Sequence, residues 1–314
     1  MRFVILLAAV VPPLLILGYG IAKARASWNS EAMFSAYVLG AMSAIAAMAC
    51  EFALTYVMPL DGMTPVDAAA SKAVFIAGFP EEAAKFFVLV CLAEKHVDVR
   101  RLQDILVLAL AVSLGFATLE NFAYVATASD WKAIAALRAI TSVPGHGLDG
   151  LAMGALLIAA RLDARRGPEL FGYALLVPVF LHAAYDFPLF AIGKGIAKVW
   201  FGVGWLGVIA ASSIFVIWLC NRILPEAVEA DRAAGRDHMS KDTTDRLITG
   251  GIIAVIAGPL LAAVAFVTRG FDVALAAAVL SILPIALGID SILTGARRRR
   301  ARLAMSPEQL DYAP

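Results

Sequence analysis

Long apolar segments recur along almost the whole chain, and they restrict what it can fold into. A helix rises about 1.5 Å per residue and the hydrocarbon core of a bilayer is about 30 Å thick, so roughly 20 apolar residues are enough to cross it. The segments that reach this length are 3–22, 32–58, 67–93, 102–126, 140–160, 170–192, 199–221, 247–267 and 272–294. The sequence therefore predicts an all-α fold, a polytopic transmembrane bundle of about nine helices.

Composition supports a membrane protein and argues against nucleic acid as a partner. Hydrophobic residues make up 61% of the chain and charged residues 16%, whereas soluble domains are about 45 to 50% apolar. The net charge is only +1, and the sequence has neither a glycine-rich phosphate loop nor a paired CxxC motif. The expected surroundings are the lipid bilayer, and no nucleic acid is expected to bind.

Basic residues concentrate in alternate connections and in the tail "ARRRRAR". By the positive-inside rule, the N-terminus is expected outside and the C-terminus in the cytoplasm. The first helix is expected to be retained rather than cleaved as a signal peptide, because Lys23 and Arg25 follow it and only Arg2 precedes it.

Ionisable residues within predicted spans divide the chain further. We expect a seven-helix core over 1–224, a polar cytoplasmic linker over 225–246, a two-helix hairpin over 247–294 and a basic cytoplasmic tail over 295–314. Charges at bilayer depth cost several kcal/mol unless they are paired or hydrated, so they are kept mainly where they have a function.

Four consecutive predicted helices carry such residues, beginning with "FPEEAAKFFVLVCLAEK" at 79 to 95. They are Glu81, Glu82, Lys85, Glu120, His146, Asp149, His182 and Asp186. Residues four apart share a helix face, so Glu81 aligns with Lys85, and His182 aligns with Asp186. Helix rise places these polar stripes in one band between the midplane and the outer surface.

Three chemistries fit this band of carboxylates and histidines. Two adjacent glutamates resist ionising together, so one could activate water as a base while histidines stabilise the oxyanion. Alternatively, His146, His182 and one of Glu81 or Glu82, with Glu82 preferred, could hold zinc with an open position for water, although no HExxH motif is present. The third chemistry is a proton or ion relay in a transporter.

Four motifs in one order resemble the PrsW family of intramembrane proteases. "EEAAK" at 81 to 85 is similar to the family's EExxK motif, and "GFATLENFAY" at 115 to 124 is similar to its ENxxY element. "PGHGLDG" at 144 to 150 and "HAAYD" at 182 to 186 resemble its two histidine motifs. The resemblance covers about residues 35 to 192. It implies a membrane-embedded endopeptidase, similar in type to the CAAX prenyl proteases, of the bacterial inner membrane.

The resemblance also implies roles for individual residues. The catalytic base is Glu81 or Glu82, and His146 and His182 are the further catalytic or metal-binding groups. Supporting residues are Lys85 as the charge partner, Asp186 as the orienter of His182, and Glu120, Asn121 and Tyr124 in the pocket. The implied substrate is a membrane-anchored protein such as an anti-sigma factor, cleaved near the outer half of the bilayer. A glutamic mechanism without cofactor is favoured, and a zinc mechanism remains the alternative.

Further expectations concern residues around this core. "TSVPGHGLDG" is expected to interrupt the fifth helix, since it contains proline and glycines. Asp149 is expected to cap the turn that follows, and Arg138 to anchor the outer interface. Glu51 is expected either to line the cavity or to pair with Lys72.

Overall fold

The computed structural model describes residues 2–24, 30–95, 101–196 and 198–235. Within these residues the chain is helical and contains no strand. The helices are α1 (Arg2–Ala24), α2 (Ser30–Val57), α3 (Pro65–Ser71), a π-helical segment (Lys72–Gly78), α4 (Phe79–Lys95), α5 (Leu102–Thr127), α6 (Trp131–Ile140), α7 (Ser142–Leu162), α8 (Gly167–Gly193) and α9 (Lys198–Ala233). The eighth and ninth predicted helices, the hairpin that they form and the basic tail lie outside the described residues.

The predicted all-α membrane fold is confirmed. In the described residues, six helical stretches are long and apolar enough to cross a membrane: Phe3–Ile21, Glu31–Val57, Leu102–Thr127, Trp131–Leu162, Gly167–Gly193 and Phe201–Ala233. The run from Pro65 to Lys95 is also long enough, but ionisable residues in its interior make it less apolar. The first seven predicted segments are therefore all helical, while the orientation of the termini stays a prediction.

Helix α5 lies at the centre of the bundle, and most of its residues are buried. Its residues from Gln103 to Ala117 are all buried. Glycines allow α2 to approach it closely, because a Cβ on Gly40 would lie 2.0 Å from the Val112 carbonyl oxygen and one on Gly115 would lie 2.0 Å from that of Tyr37. Small residues at such crossings are typical of membrane helices, whose association depends on close packing.

The interruption expected within "TSVPGHGLDG" is found at its first residue, Thr141 (φ −125°, ψ −66°), between α6 and α7. The expected cause is wrong, because α7 runs unbroken from Ser142 to Leu162 through the proline and glycines. Pro144 falls in the first turn of α7, where backbone N–H groups have no intrahelical acceptor and proline is tolerated. The glycines of the motif follow inside the helix.

The seventh helix is longer than predicted, since α9 continues to Ala233 instead of ending near residue 221. The extension carries Asp231, which is fully buried. Its carboxylate accepts hydrogen bonds from the backbone N–H of Leu102 (3.0 Å) and of Gln103 (3.4 Å). Asp231 thus caps the first turn of α5 from a distant part of the chain, where N–H groups otherwise lack acceptors.

A π-helical segment separates α3 from α4, and the Phe79 N–H bonds the Val74 carbonyl five residues earlier. The segment ends two residues before Pro80, which cannot donate a backbone hydrogen bond and whose ring would clash with the Ile76 carbonyl in a regular α-helix. Gly78 lies against α8, where a Cβ would be 3.3 Å from the Val179 carbonyl oxygen. Single π turns inside helices are frequent at functional sites, and this one sets the position of the next turn, which carries Glu81 and Glu82.

Candidate active site

The first turns of α4 place Glu81, Glu82 and Lys85 inside the bundle. Glu82 and Lys85 are completely buried and Glu81 is 5% exposed. The Lys85 ammonium donates to Glu82 Oε1 at 2.7 Å and to Glu81 Oε2 at 3.5 Å. It also lies 4.0 Å from the centroid of the Phe116 ring, a cation–π contact. The predicted alignment of Glu81 with Lys85 on one helix face is confirmed.

His146 on α7 connects Lys85 to Glu120 on α5. Its Nδ1 is 2.9 Å from Lys85 Nζ, and its Nε2 is 2.6 Å from Glu120 Oε2. An ammonium group can only donate, so Nδ1 must accept and the ring proton belongs on Nε2, which donates to the glutamate. Both ring nitrogens of His146 therefore have partners within the protein.

His182 on α8 is surrounded by carboxylates. Its Nδ1 lies 2.7 Å from Glu82 Oε1, and its Nε2 lies 3.5 Å from Asp186 Oδ2 and 3.7 Å from Glu81 Oε2. Asp149 Oδ2 approaches Nδ1 at 3.9 Å. The ring centroids of His182 and His146 are 5.4 Å apart.

Arg138 on α6 closes the other end of this network. Its Nη2 is 2.7 Å from Glu120 Oε2, and its Nε donates to Asn121 Oδ1 at 2.6 Å. The guanidinium also lies 4.1 Å from the centroid of the Tyr124 ring. Arg138 is therefore bonded to the polar cluster rather than anchored at the interface, and the expectation of a simple anchor is wrong, because α6 packs beside the last turns of α5.

A cavity of about 360 Å³ opens beside these residues. Glu81, Glu120, His146, His182 and Asp186 contribute to its wall, whereas Glu82 does not. The remaining polar wall residues include Glu51, Lys72, Tyr124, Arg138, Asp149, Ser212 and Ser213. The two adjacent glutamates are thus distinguished by the structure: one faces the cavity and the other is enclosed behind it.

All nine side chains proposed from the sequence meet in this one region. The structure adds four residues whose part in the site the sequence analysis missed or left open. Arg138 interrupts the apolar run "AIAALRAI", which is a usable signal for a buried charge. Asp149 lies inside α7 and is buried, so the expected capping role is wrong. Glu51 and Lys72 both line the cavity. Of the two expectations for Glu51, the one that places it in the cavity wall is confirmed.

Comparison with known proteins identifies the family of the chain. Residues 16–219, well over half of the chain, match the family model described as "PrsW family intramembrane metalloprotease". The chain belongs to the PrsW family. No solved structure matches it significantly.

Several curated relatives named "Protease PrsW" are similar to this chain. The relative from Halalkalibacterium halodurans is 35% identical over 115 residues, 37% of this chain and 53% of the relative. The relative from Shouchella clausii is 28% identical over 192 residues, 60% of this chain and 85% of the relative. The relative from Bacillus subtilis is 36% identical over 135 residues, 40% of this chain and 61% of the relative.

The family description names a metalloprotease, so the site must be compared with the needs of a metal ion. The donor atoms at the site are of a type that metal ions bind. Glu81, Glu82, His146 and His182 each offer a ligand atom, and these atoms lie within 4.8 Å of one another. Carboxylate oxygens and imidazole nitrogens are common zinc ligands. Glu82 Oε2 is buried without a hydrogen-bond partner. By residue type the group could hold a metal ion.

The arrangement of the same group does not fit a metal ion, because Lys85 already occupies it. Its ammonium bonds or contacts Glu81, Glu82 and His146, three of the four donor residues. A divalent ion bound to the same atoms would lie beside a buried positive charge. We therefore derive no step of the chemistry through a metal ion.

Proposed function

We propose that the protein is an intramembrane endopeptidase of the bacterial inner membrane. Its substrate is a membrane-anchored protein of the anti-sigma-factor kind, cut in the outer half of the bilayer. The observation that supports this proposal best is the cavity wall, which combines Glu81 with the paired histidines His146 and His182. Membership of a protease family argues for this function over the ion-coupled transporter considered from the sequence.

In the proposed reaction, Glu81 acts as the base. Its carboxylate faces the cavity and has only weak contacts, at 3.5 Å to Lys85 and 3.7 Å to His182. It removes a proton from water while the water oxygen attacks the carbonyl carbon of the substrate. The same proton then passes to the leaving amine as the peptide C–N bond breaks, so Glu81 returns to its initial state.

Glu82 and Lys85 hold the reacting groups in place rather than react. Glu82 Oε1 contacts both Lys85 and His182 Nδ1 at 2.7 Å. His182 Nδ1 donates to this carboxylate, and Nε2 lies beside Glu81 and Asp186 at the cavity wall. In its imidazolium form, His182 would present an N–H to the oxyanion that develops on the substrate.

Arg138 and Glu120 act through His146. Glu120 Oε2 accepts from His146 Nε2 and also forms an ion pair with Arg138 Nη2. This pairing keeps His146 in the tautomer that accepts from Lys85, and so fixes the ammonium between the glutamates. Arg138 is therefore a positioning residue in this proposal.

The test is cleavage of a tagged single-span substrate co-produced in bacterial membranes. Wild-type protein is compared with Glu81→Gln, His182→Ala and the control Glu169→Gln, which changes a carboxylate whose side chain is 50% exposed and pairs with Arg166. We expect the shorter product with wild type and control, and none with the two site variants. Undiminished cleavage by both site variants at equal protein level would refute the proposal.

A further inference from the structure

Lys85 occupies the position that a metal ion would need. Its Nζ lies 2.7 Å from Glu82 Oε1, 2.9 Å from His146 Nδ1 and 3.5 Å from Glu81 Oε2. Zinc binds nitrogen and oxygen ligands at about 2.0 to 2.2 Å. An ion that drew these three atoms into its coordination would lie close to the present position of the ammonium.

We propose that Lys85 is a built-in cation that keeps divalent metal ions out of the Glu/His cluster formed by Glu81, Glu82, His146 and His182. This inference rests on the proposed function only in taking the cluster as the reacting centre. In this role the ammonium supplies the positive charge that two buried carboxylates require. It also keeps both glutamates and His146 as hydrogen-bonding groups instead of metal ligands.

The lysine cannot readily leave the cluster. Its side chain has no exposed surface, and its ammonium lies against the face of the Phe116 ring. The next turn of α4 is also inside the bundle, since Leu89 is completely buried. Moving the ammonium to water would require opening the contact between α4 and α5, so a metal ion would have to bind beside the charge.

Removing that charge should convert the cluster into a metal site. Lys85→Met keeps an unbranched apolar side chain of similar reach and leaves two carboxylates and two imidazoles within 4.8 Å of one another. Since the repulsion between nearby cations is lost and the carboxylates lack a counter-charge, we expect metal affinity to rise roughly 100-fold.

The experiment measures Co²⁺ and Zn²⁺ binding by the purified full-length protein in detergent after removal of any affinity tag. Co²⁺ binding is followed by its visible absorption and Zn²⁺ binding by competition against Co²⁺. The proteins are wild type, Lys85→Met, Lys85→Arg, His146→Ala and the double variant Lys85→Met/His146→Ala. Lys72→Met is the matched control, because Lys72 lies in the wall of the neighbouring cavity and its Nζ stacks on the Phe190 ring, 4.4 Å from the centroid.

We expect weak binding by wild type, Lys85→Arg and Lys72→Met, and tight binding of one ion by Lys85→Met that the His146→Ala change abolishes. Wild-type protein that binds one ion as tightly as Lys85→Met would overturn the inference. So would a folded Lys85→Met protein that binds no metal. If Lys85→Met does not fold, wild type and His146→Ala still decide: tight wild-type binding that is lost in His146→Ala contradicts the role assigned to Lys85.

These results are independent of proteolysis. A protein without protease activity could still show the gain of metal binding in Lys85→Met, which would leave the inference intact and refute only the proposed function. If the wild-type protein were a metal-dependent protease, the inference about Lys85 would be refuted and the proposed protease function would stand.

Discussion

Glu81 and Glu82 are adjacent in sequence but differ in their surroundings, and this difference can be measured. Glu81 lines the cavity and makes contacts of 3.5 Å and longer. Glu82 is completely buried, lies outside the cavity wall and contacts Lys85 and His182 at 2.7 Å. We predict that Glu81→Gln abolishes catalysis and preserves stability, whereas Glu82→Gln mainly reduces stability.

The magnitudes follow from these contacts. Losing a general base costs about 10² to 10⁴-fold in rate, so cleavage by Glu81→Gln should fall by that factor. Its contacts are long, so we expect the free energy of unfolding to fall by less than about 1 kcal/mol. Breaking a buried ion pair costs about 3 to 5 kcal/mol. Glu82→Gln should lower the free energy of unfolding by about 3 kcal/mol, the lower end of this range, because the amide oxygen can still accept from Lys85 and His182.

Two assays separate these effects. Unfolding of each purified variant is followed by circular dichroism during SDS titration in mixed micelles, and cleavage is normalised to the amount of folded protein. The reasoning would be refuted if Glu82→Gln were as stable as wild type yet inactive. It would equally fail if Glu81→Gln lost more stability than Glu82→Gln.

Three other variants test the remaining parts of the structure. Arg138→Lys keeps a positive charge but lacks the planar guanidinium, whose Nε donates to Asn121 while Nη2 forms an ion pair with Glu120. We therefore expect kcat to fall about tenfold with little change in KM, and to fall further in Arg138→Gln. Steady-state kinetics on the tagged substrate measure this, and an unchanged kcat would exclude a positioning role. Asp231→Asn should lower the free energy of unfolding by about 1 to 2 kcal/mol, since it weakens the cap of a central helix. The control is Asp163→Asn, because the Asp163 carboxylate also accepts from backbone N–H groups but lies in an exposed turn. In the same SDS titration, the control should change the free energy of unfolding far less. Gly115→Ala should lower the free energy of unfolding by at least about 2 kcal/mol and lower the thermal unfolding midpoint, because its Cβ would meet a backbone oxygen. Gly172 has open space around it, so Gly172→Ala should leave the midpoint unchanged.

Much of the fold follows from the apolar pattern of the sequence. Length and hydrophobicity alone located seven helices, since a membrane forces the backbone to satisfy its own hydrogen bonds within each segment. The same pattern could not place the ends of α7 and α9. Whether Pro144 breaks a helix depends on whether it falls in the first turn, and the last turns of α9 depend on a tertiary contact of Asp231 with α5.

The candidate site was predictable to a similar degree. Helix periodicity correctly aligned Glu81 with Lys85, and His182 with Asp186, because these pairs lie within single helices. The contacts of His146 with Lys85 and Glu120 join three helices. Spacing along one helix does not determine how its neighbours are rotated, so these contacts could not be deduced from the sequence.

The wall of the cavity draws on helices from α2 to α9, and its reacting groups are spread between Glu81 and Asp186. A chain emerging from the ribosome therefore lacks the complete candidate site when its first helices enter the bilayer. The carboxylates, the imidazoles and the enclosing surface are present together only when α9 has packed against the rest of the bundle. If the proposed function holds, the onset of hydrolysis would therefore report that the bundle is complete.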